Sequence, residues 1–416
     1  MPHNRTSRAM FRYRSQAIFV ACAIAVLFGA SAHSGSLILD SPTLTGIDAY
    51  EAMKPDPFAG KRVGLITNQT GVDFRGARTI DVLARRHDVK LVAIFSPEHG
   101  IVGKVDAPVA DTSDTATGIP IFSLYGDARR PTDEMLKGID VLAFDVQDAG
   151  VRFYTYVTTM AYCMEAAAKL HIRFVVFDRP DPLGGEVIEG PMLDSDRTSF
   201  TGYFPMPVRY GMTMGELAKM FNAENKIGAN LHVFELKAWR RDQTYDQTKL
   251  PWISPSPNLR SLNAAFLYPG IEILQAGGIS VGRGTDAPFE IMGAPWIRAD
   301  EFAAALARRK IPGVKFAPAQ FAPRDGLYRN QPCQGVTITI TDRGALQSMT
   351  MGIEIADVLH RMYPDNFRLA KIVELLGSQS TVDRLKHGEA PADIVDGWSA
   401  ELAKFRVMRK KYLLYQ

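Results

Sequence analysis

Glu98 and His99 are the residues whose type and position most directly suggest a reaction. They lie in Ser-Pro-Glu-His-Gly at 96–100, directly after Leu91–Phe95, an apolar run that predicts a short strand buried on both faces. The proline ends sheet pairing, so the chain must turn there. Because ligands bind at the carboxyl ends of strands in open α/β sheets, a carboxylate at this turn can have a raised pKa and act as an acid near neutral pH. A solvated loop glutamate would show the same pattern.

Carboxylates on other loops extend this chemistry to glycoside hydrolysis. Cleavage of a glycosidic bond usually needs one protonated carboxylic acid and one carboxylate. The loop-borne candidates are Glu98, Asp145, Glu186, Glu189 and Glu290. The aromatic residues that could stack on sugar faces are Tyr154, Tyr156, Trp252 and Trp296, although each also fits an ordinary core position. Spacing along the sequence does not select the catalytic pair.

Gly278–Gly282 suggests a different enzyme class, because it matches the G-x-S-x-G nucleophile elbow of serine hydrolases, with Ser280 as nucleophile. The elbow requires a helix directly after the serine, and the glycine- and proline-containing residues 283–288 cannot begin one promptly. The glycines and Arg283 fit better as a loop that grips an anionic or hydroxyl-rich ligand. No nucleotide-binding pattern follows a predicted strand and no Cys/His cluster has metal-ligand spacing, so we expect no cofactor and no metal.

Strands that alternate with helices must position these side chains. The β-rich runs that end in polar loops are 62–67, 91–95, 139–145 and 173–177, and helical spacing is found at 79–86 and 158–170. This order predicts an α/β fold with a Rossmann-like, mostly parallel sheet. The carboxyl ends of parallel strands share one edge, so the fold would gather residues that are distant in sequence. These residues are Asn68, Glu98, Asp145, Gln147, Arg152, Asp178 and Arg179.

The pattern changes toward the C-terminus. A helix capped by Thr213 and Glu216 is predicted at 213–222, and three prolines make Leu250–Asn258 a rigid extended segment. From about Ala299 the pattern is α+β. The sequence thus predicts a Rossmann-like catalytic domain at 33–298 and a smaller α+β domain at 299–416.

Residues 1–32 predict export. Four arginines precede an apolar run at 17–30, and Ala30-Ser31-Ala32 is an A-x-A-like cleavage site, which together are typical of a secretory signal peptide. Cleavage lowers the formal net charge from +3 to −1, so nothing suggests a nucleic acid or an anionic membrane as partner. We expect a periplasmic or secreted protein without stable membrane insertion. Cys163 and Cys333 would form one long-loop disulfide or remain two buried thiols.

Many ordered runs of the sequence resemble the exo-β-N-acetylmuramidases of the NamZ type, and they cover nearly all of the chain after residue 32. The runs are GLITNQTG at 64–71, SPEHG at 96–100, SLYG at 123–126, FDVQDAGVRFYTY at 144–156, DRP at 178–180, EGP at 189–191, PVRYGMT at 207–213, LPWISPSPN at 250–258, SVGRGTDAPFE at 280–290 and GAPW at 293–296. The resemblance implies a Rossmann-like N-terminal domain, a smaller C-terminal domain and a site in the cleft between them.

The resemblance also implies the reaction: release of N-acetylmuramic acid from the non-reducing end of peptidoglycan-derived muropeptides or disaccharides by hydrolysis of a β-1,4 link, in cell-wall degradation and recycling. Two catalytic glutamates are implied, which match Glu98 and Glu189, with His99 as a further candidate. Arginines suit the lactyl carboxylate because a guanidinium pairs with it through two hydrogen bonds. The expected substrate-binding residues are Asn68, Asp145, Gln147, Arg152, Tyr154, Arg179, Asn258, Arg283 and Glu290.

Two positions depart from the family pattern. Many relatives have Ser-Glu-Gly-Arg-Gly-Thr where this chain has Ser-Val-Gly-Arg-Gly-Thr at 280–285, and Val281 cannot transfer a proton. Either a glutamate there is dispensable in the family or this member differs in activity. Tyr210, a second-rank candidate, stands where relatives often have histidine. Two alternatives stay open: a serine esterase or amidase that uses Ser280, and a non-catalytic protein that binds muropeptides.

Overall fold

The computed structural model describes residues 41–104, 107–126 and 128–416, and the predicted signal peptide lies outside them. The strands in these ranges are β1 (Arg62–Thr67), β2 (Lys90–Ser96), β3 (Thr112–Ser113), β4 (Pro120–Ser123), β5 (Val141–Asp145), β6 (Arg173–Phe177), β7 (Glu189–Met192), β8 (Pro207–Arg209), β9 (Leu231–Phe234), β10 (Ile291–Ala294), β11 (Val314–Phe321) and β12 (Cys333–Ile340). The α-helices are α1 (Gly46–Glu51), α2 (Thr79–Ala84), α3 (Tyr156–Lys169), α4 (Met214–Glu224), α5 (Leu262–Ile271), α6 (Ala299–Arg309), α7 (Ser348–Met362), α8 (Val373–Leu376), α9 (Gln379–Lys386), α10 (Pro391–Asp396) and α11 (Ser399–Arg409). None of the helices in the described ranges combines the length and the apolar character that crossing a membrane requires.

A seven-stranded sheet has the order β3-β4-β2-β1-β5-β6-β9. All neighbouring strands run parallel except the short edge pair β3 and β4, which is antiparallel. Thr67 at the end of β1 pairs with Asp145 at the end of β5, so the loops after these strands begin at one edge. The prediction of a mostly parallel α/β sheet is confirmed.

The central strands are apolar because both of their faces are covered. On β5, Leu142 and Phe144 belong to a large core cluster that includes α3, whereas Val141 and Ala143 face a smaller cluster on the opposite side of the sheet. Burial of each large side chain stabilises the fold by about 1.5–3 kcal/mol, so these two layers hold the sheet edge in a fixed position. Cys163 on α3 and Cys333 on β12 are buried free thiols, which corresponds to the second of the two predicted alternatives.

The C-terminal part contains an antiparallel sheet of order β10-β12-β11 and packs directly on the first part. Helices α5 and α7 touch backbone to backbone: a Cβ added at Gly270 would lie 2.0 Å from the carbonyl oxygen of Ser348. Apolar residues from both parts belong to one core cluster, and residues 42–416 form one compact unit. The domain boundary near 298 therefore stays a prediction.

The last residues return to the segments that follow β6 and β8. Arg409 donates hydrogen bonds to the carbonyl oxygens of Tyr210 and Gly211, at 3.0 and 2.7 Å. The Tyr415 hydroxyl donates to Asp178 at 2.6 Å, directly after β6. The C-terminal segment is thus part of the structure that fixes the loops of the first part.

Candidate active site

A cavity of about 350 Å³ opens beside Glu98, within the range of about 300–1,000 Å³ that is usual for small-molecule sites. Its walls come from both parts of the chain: the loop after β2, the loop before α3, the end of α5 and the glycine-rich loop that contains Arg283. Four of the predicted site residues line it, namely Glu98, His99, Tyr154 and Arg283.

The turn after β2 presents Glu98 to this cavity. His99 and Gly100 both have φ near +70°, and this left-handed turn is sterically costly at the histidine. The hydroxyl of Thr155, the residue before α3, donates to Glu98 Oε2 at 2.5 Å. The Tyr156 hydroxyl contacts the Glu98 carbonyl oxygen at 3.3 Å. The carboxyl group is therefore held by the first turn of a buried helix.

A second carboxylate, Glu272, lines the same cavity just after α5. Arg283 donates to Glu272 Oε1 at 2.7 Å, and the Glu272 side chain is 8% exposed. A guanidinium at this distance favours the ionised form of the carboxyl group. Glu272 is not among the site residues predicted from the sequence; the available signal was a lone charge within the apolar run Ile271–Leu274.

Aromatic residues form the inner wall. The rings of Tyr154 and Tyr268 meet edge to face with centroids 6.0 Å apart, and the Phe153 ring lies 5.4 Å from that of Tyr268. Burial raises the pKa of Tyr154 and of Tyr268 well above the usual value, so both hydroxyls keep their protons. The buried Tyr154 hydroxyl lies near Ser256 but has no hydrogen bond of ordinary geometry among the described residues. It can serve a sugar hydroxyl or amide as hydrogen-bond partner.

Comparison with known proteins assigns the family. The family models described as the N-terminal and C-terminal parts of exo-β-N-acetylmuramidase NamZ match residues 63–263 and 266–415. This chain belongs to the NamZ exo-β-N-acetylmuramidase family. It is 41% identical over 376 residues to the peptidoglycan β-N-acetylmuramidase NamZ of Bacillus subtilis (strain 168), across 89% of this chain and 91% of that protein.

Two crystal structures of DUF1343 family proteins from Bacteroides fragilis NCTC 9343 share the fold of this NamZ family member. One is 39% identical with a TM-score of 0.83, and the other is 31% identical with a TM-score of 0.75. Each comparison covers 90% of this chain and 99% of the other chain. The family resemblance seen in the sequence is confirmed.

Glu189, the second catalytic glutamate implied by the NamZ resemblance, is not among the residues that line the cavity. Arg209 Nη1 donates to its Oε1 at 2.8 Å, and the backbone N–H of Met349 donates to its Oε2 at 3.0 Å. The Glu189 side chain is 11% exposed and that of Arg209 is 3% exposed. These contacts fasten β7 to β8 and to the start of α7. They do not favour the prediction that Glu98 and Glu189 face each other across one cleft.

Several other residues that were predicted to bind the substrate lie behind the cavity wall and support it. Asp145 is fully buried and accepts from Arg179 Nε at 2.5 Å, so each neutralises the other. Asn68 donates to the Tyr156 hydroxyl at 3.0 Å, and Gln147 donates to the Pro180 carbonyl oxygen at 2.9 Å. Because these groups are engaged inside the fold, they position the loops and do not line the cavity.

Arg152 also acts inside the fold. Its two Nη atoms donate to the carbonyl oxygens of Pro191, Met206, Leu375 and Leu376 at 2.7–3.1 Å. Burial lowers the pKa of its guanidinium to about 9. The prediction that Arg152 binds the lactyl carboxylate is not supported by this position, since carbonyl groups surround the side chain. It instead ties α8, and with it the cavity-lining Leu375, to the first part of the chain.

Asn258 and Glu290 likewise lie outside the cavity lining. Asn258 is buried, and Glu290 accepts from the hydroxyl of Ser261, the N-cap residue of α5, at 2.8 Å. Glu290 therefore steadies the helix that ends at Glu272.

The Ser280 alternative lacks the local structure of a nucleophile elbow. Ser280 is buried, its backbone pairs with Gly293 at 2.8 and 2.9 Å, and turns rather than a helix follow it. The neighbouring Val281 is a core residue, and the buried Tyr210 hydroxyl donates to Asp148. Ser280, Val281 and Tyr210 all lie outside the cavity lining.

Within the described ranges one group of carboxylates is close enough to hold a metal ion, namely Asp48, Glu51 and Asp73, with candidate ligand atoms within 4.8 Å of one another. Asp48 already accepts from the backbone N–H of Thr45 and Asp73 from that of Ala77. The group has no residue in the cavity wall. Asp48 thus caps the start of α1, and Asp73 closes the turn at residues 73–77.

Proposed function

We propose that this protein is an exo-acting glycoside hydrolase that releases N-acetylmuramic acid from the non-reducing end of peptidoglycan fragments by cleaving a β-1,4 link. The observation that carries the proposal is the cavity in which Glu98 of the Ser-Pro-Glu-His-Gly run meets a second carboxylate and an aromatic wall. Membership of the NamZ family supports the same substrate. Export through the signal peptide at 1–32 would bring the protein to the periplasm or the cell exterior, where this polymer occurs.

Glu98 is the proposed general acid. Thr155 holds Oε2, which leaves Oε1 to carry the proton toward the oxygen of the departing sugar. Protonation of that oxygen lets the bond to the anomeric carbon break, and a water molecule then supplies the hydroxyl group of the released sugar. His99 lines the cavity next to Glu98 and stays a predicted helper of proton transfer.

Glu272 is the proposed partner carboxylate, in place of Glu189. Its ion pair with Arg283 would favour the charged form, which is needed for a group that stabilises positive charge at the anomeric carbon or accepts a proton from water. In this arrangement Arg283 acts on the substrate through Glu272 as well as by its own charge. The two carboxyl groups thus have different surroundings, which is how one site provides both an acid and a base.

The experiment measures release of N-acetylmuramic acid from the disaccharide N-acetylmuramyl-β-1,4-N-acetylglucosamine by chromatography. Glu98→Gln and Glu272→Gln should each lower kcat by about a hundredfold or more, because the amide cannot transfer a proton. Glu186→Gln is the matched control, since Glu186 is an exposed loop glutamate outside the cavity. Wild-type turnover by Glu98→Gln would overturn the mechanism, and saturable binding without turnover by the wild type would favour a binding protein.

A further inference from the structure

A second cavity, of about 310 Å³, adjoins the first. The two share Glu98, Thr155 and Thr201. An acid that protonates a glycosidic oxygen must lie beside the bond that joins two sugars. Since Glu98 borders both cavities, one of them can hold the N-acetylmuramic acid at the non-reducing end, and the other can hold the sugar that forms the leaving group.

A tight turn contributes residues to both cavities. The backbones of Ser199 and Gly202 exchange hydrogen bonds of 3.0 and 3.1 Å, which places Phe200 and Thr201 at the tip. This turn belongs to the connection between the paired strands β7 and β8. Thr201 lines both cavities, whereas Phe200 lines only the second. Besides the shared Glu98, the second cavity has a wall of its own that is formed by Tyr125, Arg129 and Phe200.

That wall has the chemistry of a saccharide subsite. The Phe200 ring stacks with Tyr125 at 6.4 Å between centroids and an interplanar angle of 28°. The guanidinium of Arg129 lies 4.6 Å from the centre of the Phe200 ring. Aromatic faces bind the apolar faces of sugars. Arg129 is exposed, and no ion pair of the described residues includes it, so its charge is available to an anionic ligand.

The surface continues beyond this wall into a third cavity of about 360 Å³, which shares Ser199 with the second and is lined by Tyr162, Tyr203 and Asn225 among others. A disaccharide substrate needs only the first two cavities. Three adjoining cavities leave room for a substrate that extends past the departing sugar.

We propose that Tyr125, Phe200 and Arg129 form the leaving-group subsite, which binds the sugar on the reducing side of the scissile link, and that Arg129 attracts the carboxylate of the next muramyl residue. The inference rests on the proposed function. It makes Phe200 and Arg129 specificity residues that favour fragments longer than a disaccharide. In the alternating polymer the departing N-acetylglucosamine has no carboxylate, so the anion that reaches Arg129 comes from the third sugar.

The test compares kcat/KM for the disaccharide with that for the trisaccharide that ends in a second N-acetylmuramic acid. Phe200→Ala should lower kcat/KM for both substrates by about tenfold, through loss of the stacking surface. The second quantity is the kcat/KM for the trisaccharide divided by that for the disaccharide. Arg129→Ala should lower this ratio by about fivefold, and 1 M salt should also lower it for the wild type.

Phe74 and Arg75 provide matched controls, because the Arg75 guanidinium lies 5.1 Å from the Phe74 ring and neither residue lines the three cavities. Phe74→Ala and Arg75→Ala should keep the wild-type values for both substrates. The subsite would be refuted if the wild type turned over both substrates and Phe200→Ala had the same kcat/KM values as Phe74→Ala. That result would leave the proposed function intact. If the wild type releases no N-acetylmuramic acid from either substrate, the proposed function is wrong and the subsite with it.

Discussion

Replacing Glu189 by glutamine separates a structural role of this carboxylate from a catalytic one. The substitution leaves the Arg209 guanidinium buried, with the Leu183 carbonyl oxygen at 2.6 Å as its remaining strong acceptor. Breaking a buried ion pair costs about 3–5 kcal/mol, and an amide oxygen that still accepts one hydrogen bond reduces this to roughly 3 kcal/mol. With about 2 °C of melting temperature per kcal/mol for a large domain, we expect a fall of roughly 6 °C.

The assay combines thermal unfolding with release of N-acetylmuramic acid at 25 °C. Because Glu189 does not line the cavity, kcat of Glu189→Gln should stay within about threefold of the wild type. Arg209→Met should destabilise to a similar degree, and the double variant should lose less than the sum of the two single losses, since neither charge then remains unpaired. Glu98→Gln provides the opposite pattern, with loss of kcat and little change in melting temperature.

A loss of about a hundredfold in kcat for Glu189→Gln, with an unchanged melting temperature, would contradict a structural role of this carboxylate. That result would mean that Glu189 leaves Arg209 and acts on the substrate. It would also support the pair of glutamates that the family resemblance implies.

Three further predictions concern stability. Burial raises the pKa of Asp181 to about 7, so the folded state retains a proton that the unfolded chain loses near pH 4, and stability should fall as pH rises from about 4 to 7. Urea unfolding at pH 5 and pH 8 covers about two pH units of this fall, so Asp181→Asn should reduce the loss between them by up to roughly 3 kcal/mol. Tyr415→Phe removes the hydrogen bond to Asp178 and should lower the free energy of unfolding by about 1 kcal/mol, measured by urea titration at pH 7. Gly270→Ala places a Cβ 2.0 Å from the first carbonyl oxygen of α7 and should destabilise by about 3 kcal/mol or more, whereas the exposed Gly344→Ala should stay near the wild type in the same titration.

The sequence predicted the elements that have a strong local pattern. The β-branched run Arg173–Phe177 is strand β6, and the Thr213–Glu216 capping box begins α4 with reciprocal contacts of 3.3 and 3.1 Å. Parallel topology then explains why Glu98 and Tyr154, which follow different strands, line one cavity. Local signals and one rule of topology were sufficient for this part of the site.

The rest of the site depends on contacts that no local pattern contains. Asp145 and Arg179 have the residue types of ligands, but each is the other's partner across neighbouring loops. Arg152 receives its carbonyl partners at Leu375 and Leu376 from a segment more than two hundred residues away. Polar residues at strand ends therefore look alike in sequence, whether they face the substrate or hold the loop that does. Only the distances between side chains separate the two groups.

The return of the C-terminal segment to the sheet sets an order on folding during synthesis. While the ribosome is still making the final turn of α11, the carbonyl oxygens of Tyr210 and Gly211 and the carboxyl group of Asp178 have already emerged, but Arg409 and Tyr415 are not yet there to donate to them. The strands can form early, whereas the loops after β6 and β8 gain these supports only once residues 409 and 415 have been made. A polypeptide that stops before residue 409 would lack these contacts, and we expect proteases to cut its loops after β6 and β8 more readily.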